Sequence, residues 1–109
     1  MSTVKQAASV TIANGQTVSN GVDLGELALV GMQLPSALTS VAITFQASHD
    51  GVTYAAITKI DGTAYTVTSA PSKYIIIPPA DLAGARFLKV VGGSAEAADR
   101  NIILLLREV

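Results

Sequence analysis

The sequence predicts an all-β protein, a single-domain antiparallel β-sandwich or jelly roll of about eight strands. Short stretches rich in Val, Ile, Thr and Tyr, which suit a pleated and half-buried surface, recur along the 109 residues. Between them lie dipeptides that favour tight turns, because both central positions of a type I′ turn require positive φ. The clearest of these dipeptides are Asn14-Gly15, Asn20-Gly21, Asp50-Gly51 and Asp61-Gly62.

The strands follow from these two signals. Val41–His49 is the clearest, because Ile43 and Phe45 alternate with polar residues and so define one core face. The turns at Asp50-Gly51 and Asp61-Gly62 predict a three-stranded meander after it. We expect the other strands at Ser9–Ala13, Leu27–Leu34, Thr53–Lys59, Thr63–Thr68, Lys73–Ile77, Arg86–Val91 and Asn101–Arg107.

Little helix is expected. Pro79–Gly84 is predicted to form one helical turn, since proline stands at its start and glycine at its end. Pro35–Leu38 is a second candidate turn, and Ala95–Asp99 is either a third turn or a loop. Connections of two and of roughly eight residues suit a sandwich better than a small barrel.

The chain is expected to form one domain. Its length lies within the usual range of about 100–150 residues, and no break in composition divides it. Met1–Ala7 shows little periodicity and is predicted to be a flexible N-terminal arm. Residues 8–109 are assigned to the sandwich.

The charge pattern argues against nucleic acid and membranes as partners. Seven Lys and Arg residues against eight Asp and Glu give a net charge of −1, with no block of like charge, whereas both partners require clustered positive charge. The longest apolar run, Ile102–Leu106, is far shorter than the about 20 residues that span a bilayer. The residues after Met1 contain no apolar region typical of a secretory signal, so we expect synthesis and action in the same compartment.

Charged residues are scarce. They make up 14% of the chain, and the mean hydropathy is +0.48, whereas soluble designed surfaces are about 25–35% charged. We expect another subunit to cover part of the exterior, in a homo-oligomer for which a dimer is favoured. The alternative is a monomer whose surface is rich in Thr, Ser and Gln.

The C-terminal strand indicates where such a contact could lie. Ile103 and Leu105 share the parity of Asn101 and Arg107, which predicts that they point outward while Ile102, Leu104 and Leu106 face the core. Ile103 and Leu105 are therefore the interface candidates. The alternative is a central strand that a loop covers.

Catalysis and metal binding are not expected. The single histidine, His49, lies at a strand end without a triad context, and the chain has no cysteine to act as nucleophile or zinc ligand. We therefore predict a protein that is not an enzyme, with no cofactor and no metal site. A calcium ion held by carbonyls and by Asp23, Asp50 or Asp81 is the remaining alternative.

Carbohydrate binding is the main alternative function that individual side chains of this sequence suggest. Sugar-binding sandwiches use exposed aromatic rings beside polar groups. The candidates here are His49, Asp50 and Tyr54, close together in one hairpin. Tyrosines on strands also serve as packing residues with an exposed hydroxyl.

Part of the sequence resembles discoidin-like, galactose-binding-type jelly rolls, over about half of the chain. In those proteins a Ser-x-Asp-Gly hairpin precedes a strand of the Arg-Tyr-Ile-Arg type. Ser48-His49-Asp50-Gly51 corresponds to the hairpin. The wider segments that carry the resemblance are Phe45–Tyr54, Lys73–Ile75 and Ala85–Val90.

A wider pattern, from about Val22 onward, is similar to small virion proteins of tailed bacteriophages. The segments that carry it are Val22–Gly25, Leu29–Pro35, Leu38-Thr39, Ile43–Ser48, Tyr65–Thr68, Ser72–Ile75 and Pro79–Gly84.

This second resemblance implies a capsid decoration or cement protein, made in the host cytoplasm, that binds the capsid exterior of the virion. It implies the major capsid protein as partner, with neighbouring capsid subunits stapled together. The alternative is a carbohydrate-binding module on a phage tail or baseplate.

Overall fold

The structure, a computed structural model, describes residues 5–25, 27–39, 42–82 and 84–108. These residues form nine strands and one short helix. The elements are β1 (Lys5–Ile12), β2 (Val22–Asp23), β3 (Leu27–Gln33), β4 (Ala42–Ser48), β5 (Ala55–Ala56), β6 (Val67–Thr68), β7 (Tyr74–Ile76), α1 (Pro79–Leu82), β8 (Phe87–Gly92) and β9 (Arg100–Glu108).

The strands form two antiparallel sheets. Sheet I has the order β1-β9-β3-β7, and sheet II has the order β2-β8-β4-β5, with β6 also paired to β4. The chain is folded back on itself in nested pairs, because β1 pairs with β9, β2 with β8, β3 with β7 and β4 with β5. This order is that of a two-sheet jelly roll, so the predicted fold class is confirmed.

The core lies between the two sheets. Ile43 and Phe45 of β4 are completely buried, as the alternation along this strand predicts. Sheet I covers them with Ile102 and Leu104 of β9, which are also completely buried. The other buried apolar side chains of this cluster are Val10, Ile12, Leu24, Leu29, Met32, Leu34, Leu38, Ile77, Leu82, Leu88, Val90 and Leu106.

The segment after β4 differs from the predicted meander. β5 and β6 contain two residues each, and both pair with β4, at Gln46-Ala47 and at Ala42-Ile43 respectively. Between them the chain leaves the sheet as a hairpin that the Thr58–Ala64 bridge closes. The long strands expected at Thr53–Lys59 and Thr63–Thr68 are therefore wrong, because most of their residues lie in this hairpin and its turns.

Strand β1 begins earlier than expected. Lys5–Ala7, predicted to belong to the flexible N-terminal arm, pair with Leu105–Arg107 of β9. Residues 1–4 lie outside the described part of the chain, as does Val41 of the predicted strand Val41–His49.

Some of the segments predicted to be helical turns are helical in the structure, and others are not. The predicted helical turn is present as α1, which runs from Pro79 to Leu82. Residues 36–37 form a turn rather than a helix, and residues 95–99 form a loop. No helix of the described residues is long and apolar enough to cross a membrane.

The buried carboxylate of Glu96 connects several segments at one end of the sandwich. The side chain of Glu96 is fully buried, and its Oε1 atom accepts hydrogen bonds from the Arg100 Nε–H at 3.0 Å and from the Thr39 N–H at 2.9 Å. The Glu96 carbonyl accepts a bond from the Gly15 N–H at 2.7 Å. This residue thereby connects the turn at residues 13–16, the loop after β3 and the start of β9.

Candidate interaction surface

The outer face of sheet I carries an apolar patch. In its register Leu105 lies opposite Ala7 and Gly31, and Gly31 lies opposite Ile76. One row further along, Ile103 is joined through Gln33 to Tyr74. Directly opposed residues point to the same side of a sheet. We call the following six residues the outer apolar patch: Ala7, Gly31, Tyr74, Ile76, Ile103 and Leu105.

Much of this patch is open to solvent. Ile76 is 72% exposed, Tyr74 57% and Ile103 36%, and Leu105 is half-buried. The predicted outward orientation of Ile103 and Leu105 is therefore confirmed, since Ile102 and Leu104 between them are completely buried. Burial of such side chains by a partner would remove apolar area from water, which favours association.

Gly31 of β3 leaves room for the Leu105 side chain of the neighbouring strand β9. A Cβ atom at this position would stand 3.3 Å from the Leu105 Cδ1 atom and 3.0 Å from the Ile75 carbonyl oxygen. Since glycine has no side chain, Leu105 can lean across β3 toward Ile76. The patch is thus continuous from β9 to β7, although β3 contributes no apolar side chain to it.

The outer face of sheet II has a different character. Its register aligns Gln46 with Lys89 and Thr44 with Val91, so polar side chains occupy most of the exposed rows. In these rows each apolar side chain lies beside a polar one, so this face lacks a patch like that of sheet I.

A shallow open concavity of about 330 Å³ borders the patch. Gln33 and Ile103 of the sheet contribute to its wall, together with Asn101, Ser36 and Ser72. It presents amide and hydroxyl groups directly beside the exposed apolar residues. A protein partner could therefore be recognised by hydrogen bonds at the rim and by apolar contact at the centre.

The hairpin that holds the sugar-site candidates uses its polar atoms internally. The Asp50 Oδ1 atom accepts hydrogen bonds from the Ser48 hydroxyl at 2.7 Å and from the N–H groups of Val52 and Thr53 at 2.9 and 3.1 Å. The Val52 bond, then the Ser48 and Thr53 bonds, hold the pKa of Asp50 well below its usual range. His49 is exposed beside it. The carboxylate therefore stabilises the turn.

Tyr54 is likewise in contact with its own chain. The Lys89 Nζ atom lies 4.4 Å from the centre of the Tyr54 ring. A side chain at Gly21 would collide with the Tyr54 hydroxyl, so the main chain approaches that end of the ring closely. His49, Asp50 and Tyr54 thus lie in one hairpin, but the ring of Tyr54 is half-buried and one of its faces holds a cation.

The three aspartates considered for calcium have separate partners. Asp23 accepts a hydrogen bond from the Arg86 Nε–H at 2.9 Å, which lowers its pKa. Asp81 accepts one from the Tyr65 hydroxyl at 2.7 Å. No group of three or more His, Cys, Asp or Glu side chains that could hold a metal ion occurs among the described residues.

Ile103 and Leu105 of the outer apolar patch were predicted from the sequence to point outward, whereas Tyr74 and Ile76 were not identified. Tyr74 and Ile76 lie in the run Tyr74-Ile75-Ile76-Ile77, in which three consecutive isoleucines give no alternation. Ile75 packs against the core and Ile77 is buried. The signal that could have identified Ile76 is its parity with Tyr74, the most polar member of the run.

The fold resembles solved structures. The crystal structure of the SPBc2 prophage-derived protein YomS aligns with a TM-score of 0.58 and 15% sequence identity over 96% of each chain. A structure described as Bacillus endospore appendages that form a novel family of disulfide-linked pili has a TM-score of 0.49 and 13% identity, with 98% of this chain and 88% of that chain covered. No family model and no curated protein match the sequence significantly. At such identities the likeness to YomS shows a shared fold.

Proposed function

We propose that this chain is a non-enzymatic structural protein of a bacteriophage virion. It decorates the capsid exterior and staples neighbouring major capsid subunits, which it contacts through the outer apolar patch. The observation that carries this proposal is the exposure of Ile76, Tyr74 and Ile103 on one continuous sheet face.

The energetics of the patch fit an adhesive role. Complete burial of one large aliphatic side chain contributes about 1.5–3 kcal/mol, and Ile76, which is 72% exposed, would contribute most of that on contact, whereas Ile103 would contribute less. A capsid offers many copies of one partner surface in a regular array. Several modest contacts by an oligomer are then made at high effective concentration.

The likeness to YomS supports a phage setting. That protein is prophage-derived, and the alignment covers nearly all of both chains. The sparse charge of this chain supports it further, because a surface that becomes covered on assembly requires fewer solvated groups.

The hairpin at His49–Tyr54 supports a sugar-binding role less well. Asp50 holds its own turn together, and Lys89 occupies a face of the Tyr54 ring. A sugar that stacked on that face would have to displace Lys89. The outer apolar patch has no such competitor among the described residues.

Electron cryomicroscopy of phage particles from the host that carries this coding sequence tests the proposal. Antibodies raised against the recombinant protein locate the chain in the particles, and the reconstruction locates it on the shell. The expected result is ordered copies over the capsid exterior, with the face of Tyr74 and Ile76 against the major capsid protein. Labelling confined to the tail, or particles that lack the chain, would refute the capsid role.

A further inference from the structure

Strand β1 is the one long edge strand of the described residues. The other edge of sheet I, β7, has three residues between Pro71 and Pro78, and the edge strands of sheet II have two residues each. Short edges and flanking prolines limit pairing with other chains, whereas β1 runs for eight residues.

Asn20 covers this edge at Thr11. The Thr11 N–H donates to the Asn20 Oδ1 atom at 2.8 Å, and the Thr11 carbonyl accepts from the Asn20 N–H at 3.3 Å. The backbone groups of Thr11 therefore point away from β9. Asn20 takes the place that a neighbouring strand would have at this residue.

The edge is open at Ala7 and Ser9. Because hydrogen-bonding direction alternates along an antiparallel strand, the backbone groups of Ala7 and Ser9 also point away from β9. No described residue pairs with that side of either one. Their N–H and C=O groups form a ready template for another strand.

We propose that a second copy of this chain occupies this edge, with β1 paired antiparallel to β1 about a two-fold axis at Ala7. Asn20 prevents pairing at Thr11, which leaves Lys5, Ala7 and Ser9 as the available residues. The alignment that uses all three places Ala7 opposite Ala7 and Lys5 opposite Ser9 of the second copy. An antiparallel edge is complementary to itself under two-fold symmetry, as a dimer requires.

Two further features favour a second copy over an unrelated strand. Small side chains meet at the axis, where Ala7 lies opposite Ala7 of the second copy. Since Leu105 lies beside Ala7 in the same row, the row Ile76-Gly31-Leu105-Ala7 continues across the axis into the second copy. The two outer apolar patches thereby become one two-fold symmetric surface on an eight-stranded sheet.

Cysteine cross-linking tests this register directly, because the chain has no native cysteine. In a hydrogen-bonded antiparallel pair the Cα atoms are about 5.5 Å apart, within the range that a disulfide spans. Ala7→Cys is the test variant. Thr11→Cys is the matched control, since it is exposed on the same face of the same strand but next to Asn20.

The expected result is a covalent dimer of Ala7→Cys on mild oxidation, in a yield at least about tenfold above that of Thr11→Cys. Sedimentation velocity of the unmodified protein should show a dimer. Ser9→Pro, which removes an N–H that points away from β9, should shift the protein to monomer, and Ser9→Ala should remain dimeric. Circular dichroism checks the fold of each variant.

A monomer at all concentrations, equal cross-linking of the two cysteine variants, or a dimer that persists in folded Ser9→Pro would overturn this assignment. If Ser9→Pro does not fold, the two cysteine variants decide alone. These measurements use the purified protein without phage particles, so a negative result would refute the dimer and leave the proposed virion role to its own test.

Discussion

The side chain of Leu105 lies across Gly31, with its Cδ1 atom 3.3 Å from the position that a Cβ atom of residue 31 would take. This contact joins the two halves of the outer apolar patch over a strand that contributes no apolar side chain. It also makes Gly31 sensitive to substitution for a reason other than backbone conformation, since the crowding comes from Leu105 and from the Ile75 carbonyl at 3.0 Å.

Gly31→Val should therefore destabilise the protein by about 1–3 kcal/mol, because Leu105 must move and β7 must separate slightly from β3. The measurement is the free energy of unfolding in urea. Gly84→Ala is the control, since a Cβ atom there meets nothing within 4 Å, and it should change stability by less than about 1 kcal/mol. Equal effects of the two substitutions would mean that the Leu105 contact is not constraining.

Phe45→Ala should lower the free energy of unfolding by about 3–5 kcal/mol, because it leaves a cavity in the centre of the core. Phe45 is completely buried, and its ring centre lies 6.1 Å from that of Tyr65. Val52→Ala, at a position 81% exposed, is the control and should have an effect within about 0.5 kcal/mol. A loss below about 1 kcal/mol for Phe45→Ala would contradict the register of β4.

Much of the core was predictable because successive side chains of a strand point to alternate faces of the sheet. Alternation placed Ile43 and Phe45 in the core, and the polar residues Asn101 and Arg107 fixed the orientation of β9. The β2 pair was not found, since two residues are too short for any periodicity. Strands β5 and β6 were predicted to be too long, because a Thr-rich hairpin and a strand have similar compositions.

The long-range polar contacts could not be found in the sequence. Glu96 is one of eight acidic residues and lies in a loop, so nothing in the sequence distinguishes it from a solvated carboxylate. Its burial results from the way in which the jelly roll brings Gly15, Thr39 and Arg100 to one end. Such a convergence depends on the strand order, which composition and spacing do not determine.

Arg100→Ala should accordingly destabilise the protein by about 3–5 kcal/mol, because it leaves the buried Glu96 carboxylate without its cation. Thermal or urea unfolding measures the loss. Arg86→Ala is the matched control, since the ion pair of Arg86 with Asp23 is about half exposed and solvent screening should make its contribution much smaller. If the two variants lose similar stability, Glu96 is solvated rather than buried.

The hydrogen bonds to Asp50 predict a pH dependence. Its pKa is lowered in the folded protein, so its stabilising contribution is present above the unfolded pKa of about 3.9 and is lost as the pH falls through the folded value. The difference in melting temperature between the unmodified protein and Asp50→Asn should therefore shrink as the pH falls from 6 to below 3. A difference that is constant over this range would mean that the carboxylate is not held in its charged form.

The last prediction concerns the outer apolar patch. Ile76→Asp should leave the β-type circular dichroism and the melting temperature nearly unchanged, because the side chain is 72% exposed. It should weaken binding to phage particles at least about tenfold, since a charge would then have to be buried in the contact. Co-sedimentation of the recombinant protein with particles that lack it measures the binding.

Ile60→Asp is the matched control for this experiment. Ile60 is fully exposed in the hairpin between β5 and β6, and it is not part of the patch. The same hydrophobic-to-charged change at this position should leave particle binding within about twofold. If Ile60→Asp abolishes binding and Ile76→Asp does not, the adhesive surface is the hairpin rather than sheet I. Because both side chains are exposed, neither outcome can be attributed to loss of the core.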